Sequence, residues 1–173
     1  MSDEERKKRL FLTLFQREYD YVHRSLRRFG VFESDIEDVA HELFMAVYRK
    51  LEELDDARPA KPWLLAFAAR FAADYRRLAR HRATEDDATL ESLPSDRTPE
   101  EEVSRAEGRS LALRALDQLS IDIKSVFVAY ELDDIPMKDI AQALAIPEKT
   151  AYSRLRLARE QFAAACAAIR GRT

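Results

Sequence analysis

The stretch PMKDIAQALAIPEKTAYSRLRLAR, residues 136–159, reads as two short helices joined by a tight turn. Ala141, Ala145 and Ala151 put small side chains where the helices would meet, and Ile140, Leu144, Ile146 and Leu155 fill the apolar positions between them. The second helix, from about Pro147, is the one that a helix-turn-helix offers to a DNA major groove. At about 3.6 residues per turn, its Ala151, Leu155, Ala158 and Phe162 form one apolar stripe. Lys149, Ser153 and Arg156 fall opposite, with Tyr152 beside them, and Arg154 and Arg159 flank the stripe. Basic and hydroxyl groups in that pattern reach phosphates and base edges. The same pattern suits the solvated face of an ordinary helical bundle, so the stretch alone does not decide.

The rest of the chain narrows the choice. Its 173 residues suit one domain or two small ones, and only three are glycine, which argues for helices and against a glycine-rich nucleotide loop. No segment shows the alternation of a strand. The net charge of −3 excludes a globally basic nucleic-acid binder, but the charge is unevenly spread along the chain. No apolar run approaches the roughly 18 residues of a membrane span, and the charged MSDEERKKRL start lacks a signal-peptide core. A cytoplasmic protein without membrane insertion is the expectation. The single cysteine, Cys166, excludes an internal disulfide and reads as a small buried apolar group. His23, His41 and His81 show no metal-ligand spacing, no nucleophile–base pair stands out, and no cofactor is implied.

Taken in order, a first helix is predicted over about Glu4–Phe29, closed by Gly30. Ser34 and Glu37 have capping-box spacing and open a second helix, whose Ile36, Val39, Leu43 and Val47 form a buried stripe. Its other side mixes Glu37, His41, Phe44, Met45 and Tyr48, a second face to be covered by another helix or by a partner protein. A third helix starts near Ala60 and carries Trp63, Leu64, Phe67, Phe71, Tyr75 and Leu78. Five arginines lie between positions 70 and 82, more than a helix C-terminus needs, with Arg70, Arg77 and His81 on one outward face and Arg76 and Arg80 beside them. The acidic, proline-punctuated stretch that follows reads as a linker. Thr98, Pro99 and Glu101 restart helix, and Ser120 opens a further one that Asp133, Asp134 and Pro136 end. The fold class is therefore all-α, with two small helical domains at 1–82 and 99–173 and a flexible acidic linker at 83–98.

Three stretches in this order resemble the extracytoplasmic-function (ECF) sigma factors of bacterial RNA polymerase: Asp35–Phe44, Trp63–Arg77 and Leu119–Arg159. The resemblance covers nearly the whole chain. It implies a non-enzymatic subunit that binds core RNA polymerase, directs it to promoter DNA and holds the melted strand, with a separate anti-sigma protein as a plausible partner. It implies that Glu37, Asp38, His41, Glu42, Phe44 and Met45 meet the polymerase. The loop Glu52–Ala60 and the helix Trp63–Arg82 would bind the minus-ten element through Trp63, Arg70, Asp74, Tyr75, Arg76, Arg77, Arg80 and His81. Lys149, Thr150, Tyr152, Ser153, Arg154, Arg156 and Arg159 would read the minus-thirty-five element.

This sequence departs from the family pattern at four places. His41 stands where Gln is usual, Phe71 where Asn is common, and Tyr152 where a basic residue is frequent. Ala145 replaces the usual turn glycine, which predicts a negative φ there. The competing reading is a stand-alone helix-turn-helix regulator that binds duplex DNA. It leaves the arginines of the third helix and the mixed face of the second without a role.

Overall fold

Ser2 and Glu5 start the first helix by a reciprocal cap that the sequence reading passed over. The Ser2 hydroxyl accepts from the Glu5 amide, and Glu5 accepts from the Ser2 amide at 2.8 Å. The structure, a computed structural model, describes residues 2–55, 57–85 and 111–171. Helix α1 spans Asp3–Arg28, α2 Ile36–Arg49 and α3 Ala60–Glu85. A fourth, α4, is described over 111–117; α5 spans Ile121–Phe127, α6 Met137–Ala143 and α7 Glu148–Arg170. Among the described residues there is no strand, as the all-α reading requires. Helix α3 runs three residues past Arg82, and the predicted cap at Thr98–Glu101 lies outside the described residues, as does most of the linker.

Gly30 ends α1 as predicted. At φ +91° it lets its own amide reach Arg27 O and the Val31 amide reach Leu26 O, which satisfies two free carbonyls. The predicted Ser34–Glu37 box does not form. A 3-10 turn over Glu33–Asp35 feeds α2 directly, and Asp35, at φ −111° and ψ −7°, is too nearly helical to serve as an extended cap. The Ser34 hydroxyl turns instead to Asp35 Oδ1.

Helices α1, α2 and α3 form the first lobe around Leu14, Val22, Leu26, Leu43, Val47, Leu64 and Leu65, all at most 2 % exposed. In the second lobe α7 packs on α5 and α6 through the predicted stripe. Ala151, Leu155 and Ala158 are buried, and Phe162 meets Phe127 with ring centres 4.9 Å apart. The α5 run does not end cleanly. It loosens into a π turn over Val128–Leu132, and Asp134 takes φ +52° before Ile135 re-enters the core. The buried apolar residues of the two lobes form one continuous cluster, so the lobes touch.

The turn of the helix-turn-helix corrects one expectation. Ala145 sits at φ +53°, not at the negative φ predicted. Its amide reaches Gln142 O at 3.2 Å and the Ile146 amide reaches Ala141 O at 3.0 Å, the same bond pair that Gly30 makes. Closing α6 in this way and returning Ile146 towards the core overrides the steric preference of an L-residue.

Candidate nucleic-acid and polymerase interfaces

Helix α7 presents a bare polar face. Lys149, Tyr152, Ser153 and Arg156 are exposed, while Thr150 and Arg154 are half-buried at its margins. Ser153 donates to Lys149 O at 3.0 Å and so stays close to the helix. Lys149 and Arg156 have no ion-pair partner among the described residues. Arg159 differs from its neighbours. Its guanidinium pairs with Glu131 and lies over the Tyr130 ring, so it ties α7 to the π turn instead of pointing outward.

Helix α3 shows two basic faces. Trp63, Phe67, Arg70, Asp74, Arg77 and His81 follow one another at helical spacing along one side. Trp63 meets Phe67 edge to face at 4.8 Å, Arg70 is exposed, and Arg77 pairs with Asp74 at 3.5 Å. Arg80 donates to Arg76 O at 3.4 Å. Two residues grouped with this surface by sequence are turned elsewhere. Tyr75 donates its hydroxyl to Asp35 and packs edge-on against Phe32; burial first, then Asp35, pushes its pKa up to about 12. Arg76 reaches back towards Gly30 and the second lobe. Position 76 is one residue from 77, and about 100° of helical rotation separates them.

Helix α2 exposes Glu37, Asp38, His41, Glu42 and Met45 together, with Met45 46 % exposed. Phe44 is the exception and corrects the predicted face. It is 3 % exposed and sits among Phe11, Phe15 and Tyr19 of α1, with its ring centre 4.8 Å from that of Phe15. Tyr48 also turns to α1, donating to Glu4 Oε1 at 2.7 Å. The aromatic side of α1 supplies the cover that the second face of α2 needed.

These surfaces have counterparts in known proteins. Residues 14–82 match Sigma-70 region 2, and residues 109–162 match Sigma-70, region 4. The ECF RNA polymerase sigma factor SigL of Mycobacterium tuberculosis is 35 % identical over 123 residues, covering 70 % of this chain and 69 % of SigL. This chain belongs to the ECF RNA polymerase sigma factors. The ECF RNA polymerase sigma-E factor of Haemophilus influenzae is similar over 90 % of this chain and 86 % of its own length, at 28 % identity. In fold, the sigma factor resembles CnrH, solved in complex with the cytosolic domain of CnrY, with a TM-score of 0.63, 24 % identity, and coverage of 93 % and 90 % of the two chains. As a sigma factor it binds core RNA polymerase and promoter DNA to initiate transcription. The region 2 match accounts for the first lobe, which the stand-alone regulator reading left without a role. Among the described residues no helix is long and apolar enough to cross a membrane.

This sigma factor also holds a buried charge that the sequence reading missed. Lys124 is fully enclosed, 3.8 Å from Asp117 Oδ1 and without a hydrogen-bond partner for its amine. Burial above all, then the Arg76 charge, lowers its pKa to about 8, against the pull of Asp117. A single cation within the apolar run Ile121–Tyr130 was the available signal. Cys166, read as buried, is only half-buried on α7.

Proposed function

We propose that residues 1–82 dock on core polymerase and open the minus-ten element, that 83–98 link the lobes, and that 99–173 read the minus-thirty-five element. The observation that carries this reading is the face of α7. Lys149, Tyr152, Ser153 and Arg156 stand clear of the protein, opposite the stripe that packs the helix down. An α-helix so presented fits the major groove, where Arg and Lys reach guanine edges and phosphates. Thr150 and Arg154 line its margins, and Arg159 holds the helix to its lobe.

Glu37, Asp38, His41, Glu42 and Met45 meet the polymerase, and Phe44 supports them from beneath. Trp63, Arg70, Asp74, Arg77, Arg80 and His81 take the displaced minus-ten strand, with stacking on the aromatic and backbone contacts from the arginines. Tyr75 acts from the second rank by fixing the start of α2. Melting is driven by binding energy, and the sigma subunit performs no covalent chemistry. The protein works in the cytoplasm under a separate anti-sigma protein. Support for that partner is by likeness: CnrH is solved with CnrY, and the RpoE of Bartonella quintana with the anti-sigma factor NepR.

The test mixes the chain with core bacterial RNA polymerase and follows co-elution and promoter-dependent transcription. Arg156→Ala should abolish promoter selection and keep co-elution, whereas Met45→Ala should weaken co-elution. Tight duplex binding by the chain alone, with neither activity, would sink the assignment.

A further inference from the structure

The outward face of α7 carries two large apolar side chains that phosphate contact does not explain. Tyr152 is 53 % exposed and Leu157 is 43 % exposed. A lone exposed leucine needs no explanation, since much of any protein surface is apolar. The placement of this pair does. The packed stripe Ala151, Leu155 and Ala158 fixes the rotation of α7. At about 100° per residue, Ser153 then points away from the lobe, with Lys149 and Arg156 close beside it. Tyr152 and Leu157 lie on opposite flanks of that line, about 140° apart around the axis and about 7.5 Å apart along it. The exposed cations Lys149 and Arg156 stand between them. Ser153 donates its hydroxyl hydrogen to Lys149 O at 3.0 Å, so towards a base it offers only lone pairs. Glu160 continues the outward line one turn beyond Arg156, where a carboxylate faces DNA phosphates unfavourably. The part of the helix that enters a groove therefore ends in the turn that holds Leu157.

We propose that Tyr152 and Leu157 read thymine methyl groups, one on each strand of the minus-thirty-five element, on either side of the base pair met by Arg156. The proposal rests on the assignment of α7 to that element. The thymine C5-methyl is the apolar group that a base edge presents in the major groove, and apolar side chains select it. A groove about 12 Å wide is filled by a helix about 10–12 Å across. Side chains on the two flanks of the helix therefore meet opposite strands. Their offset along the axis corresponds to about two base-pair steps of roughly 3.4 Å. Lysine or arginine at these two places would hold phosphates and tolerate any sequence. Tyrosine and leucine exchange that affinity for base preference.

The test uses the chain assembled with core bacterial RNA polymerase, and duplexes randomised over both promoter elements. Selected upstream elements should hold thymines on opposite strands, about two base pairs apart. Replacing either thymine by deoxyuridine removes the methyl group and keeps the pairing. It should weaken binding about fourfold, the effect of exposing one methyl-sized apolar group. Leu157→Ala should erase the penalty at one thymine and keep it at the other, and Tyr152→Ala should do the converse. Tyr152→Phe should keep both penalties, because the ring and not the hydroxyl makes the contact. A deoxyuridine element bound as tightly as the thymine one overturns the proposal and leaves the minus-thirty-five assignment standing. Penalties that persist in both alanine variants overturn it too. So does loss of polymerase co-elution by Leu157→Ala, which would make this a protein-docking face. Selection with no enriched upstream element refutes the assignment itself, and the proposal with it.

Discussion

Ala145→Gly should stabilise this sigma factor, and the size of the gain follows from the turn geometry. An L-residue in the left-handed region costs about 1–2 kcal/mol, because Cβ crowds the following carbonyl. Ala145 sits there at φ +53°. Glycine removes that cost but has more freedom in the unfolded chain, which returns about 0.5–1 kcal/mol. Ala145 is exposed, so removing its methyl group leaves no cavity, and the amide bonds to Ala141 O and Gln142 O are kept. The net gain is about 0.5–1 kcal/mol, or a rise in Tm of roughly 1–4 °C for a chain of this size. Thermal melting followed by far-ultraviolet circular dichroism reads it directly. Ala164→Gly, at an exposed position inside α7, is the control and should lose about 1 kcal/mol. If both variants lose stability to the same extent, the strain assigned to Ala145 is absent and the reasoning fails.

Phe44→Ala should cost about 3–5 kcal/mol in urea denaturation, because it empties an aromatic cluster, whereas Met45→Ala beside it should change stability little. Loss of polymerase binding by Phe44→Ala in a chain that melts normally would contradict its buried position. Lys124 gives a pH signature. Its folded pKa of about 8 lies below the usual 10.5, so between these values the unfolded chain binds more protons and stability rises with pH. Tyr21 and Tyr75 are raised above the usual 10 and reverse the slope at higher pH, which confines the rise to about pH 8–10. Lys124→Met should flatten that slope in melts across this range, and a persistent slope would place its origin elsewhere.

The helices were legible because apolar spacing reports which side of a helix is buried. The stripe Ala151, Leu155, Ala158 and the glycine cap at Gly30 follow from the sequence alone. What escaped depended on partners distant in sequence. Phe44 lies at the edge of an exposed arc of α2, and only the aromatic side of α1 decides that it is covered. Arg76 and Arg77 are indistinguishable by composition, yet one faces the other lobe and one faces solvent. Asp133 read only as the end of a helix, since its partner Arg28 lies in the other lobe. Ala145 escaped for the opposite reason. Its local preference pointed the wrong way, and the need to close α6 prevailed.

The 105-residue separation of Arg28 and Asp133 also has a meaning in time. A ribosome adding roughly 5–20 residues per second delivers the second of these residues roughly 5–20 s after the first. Throughout that interval the α1–α3 lobe can fold around its own core while Arg28 still lacks its partner in the second lobe. The contact between the lobes is therefore a late event in the life of the chain, made only after the first lobe is complete.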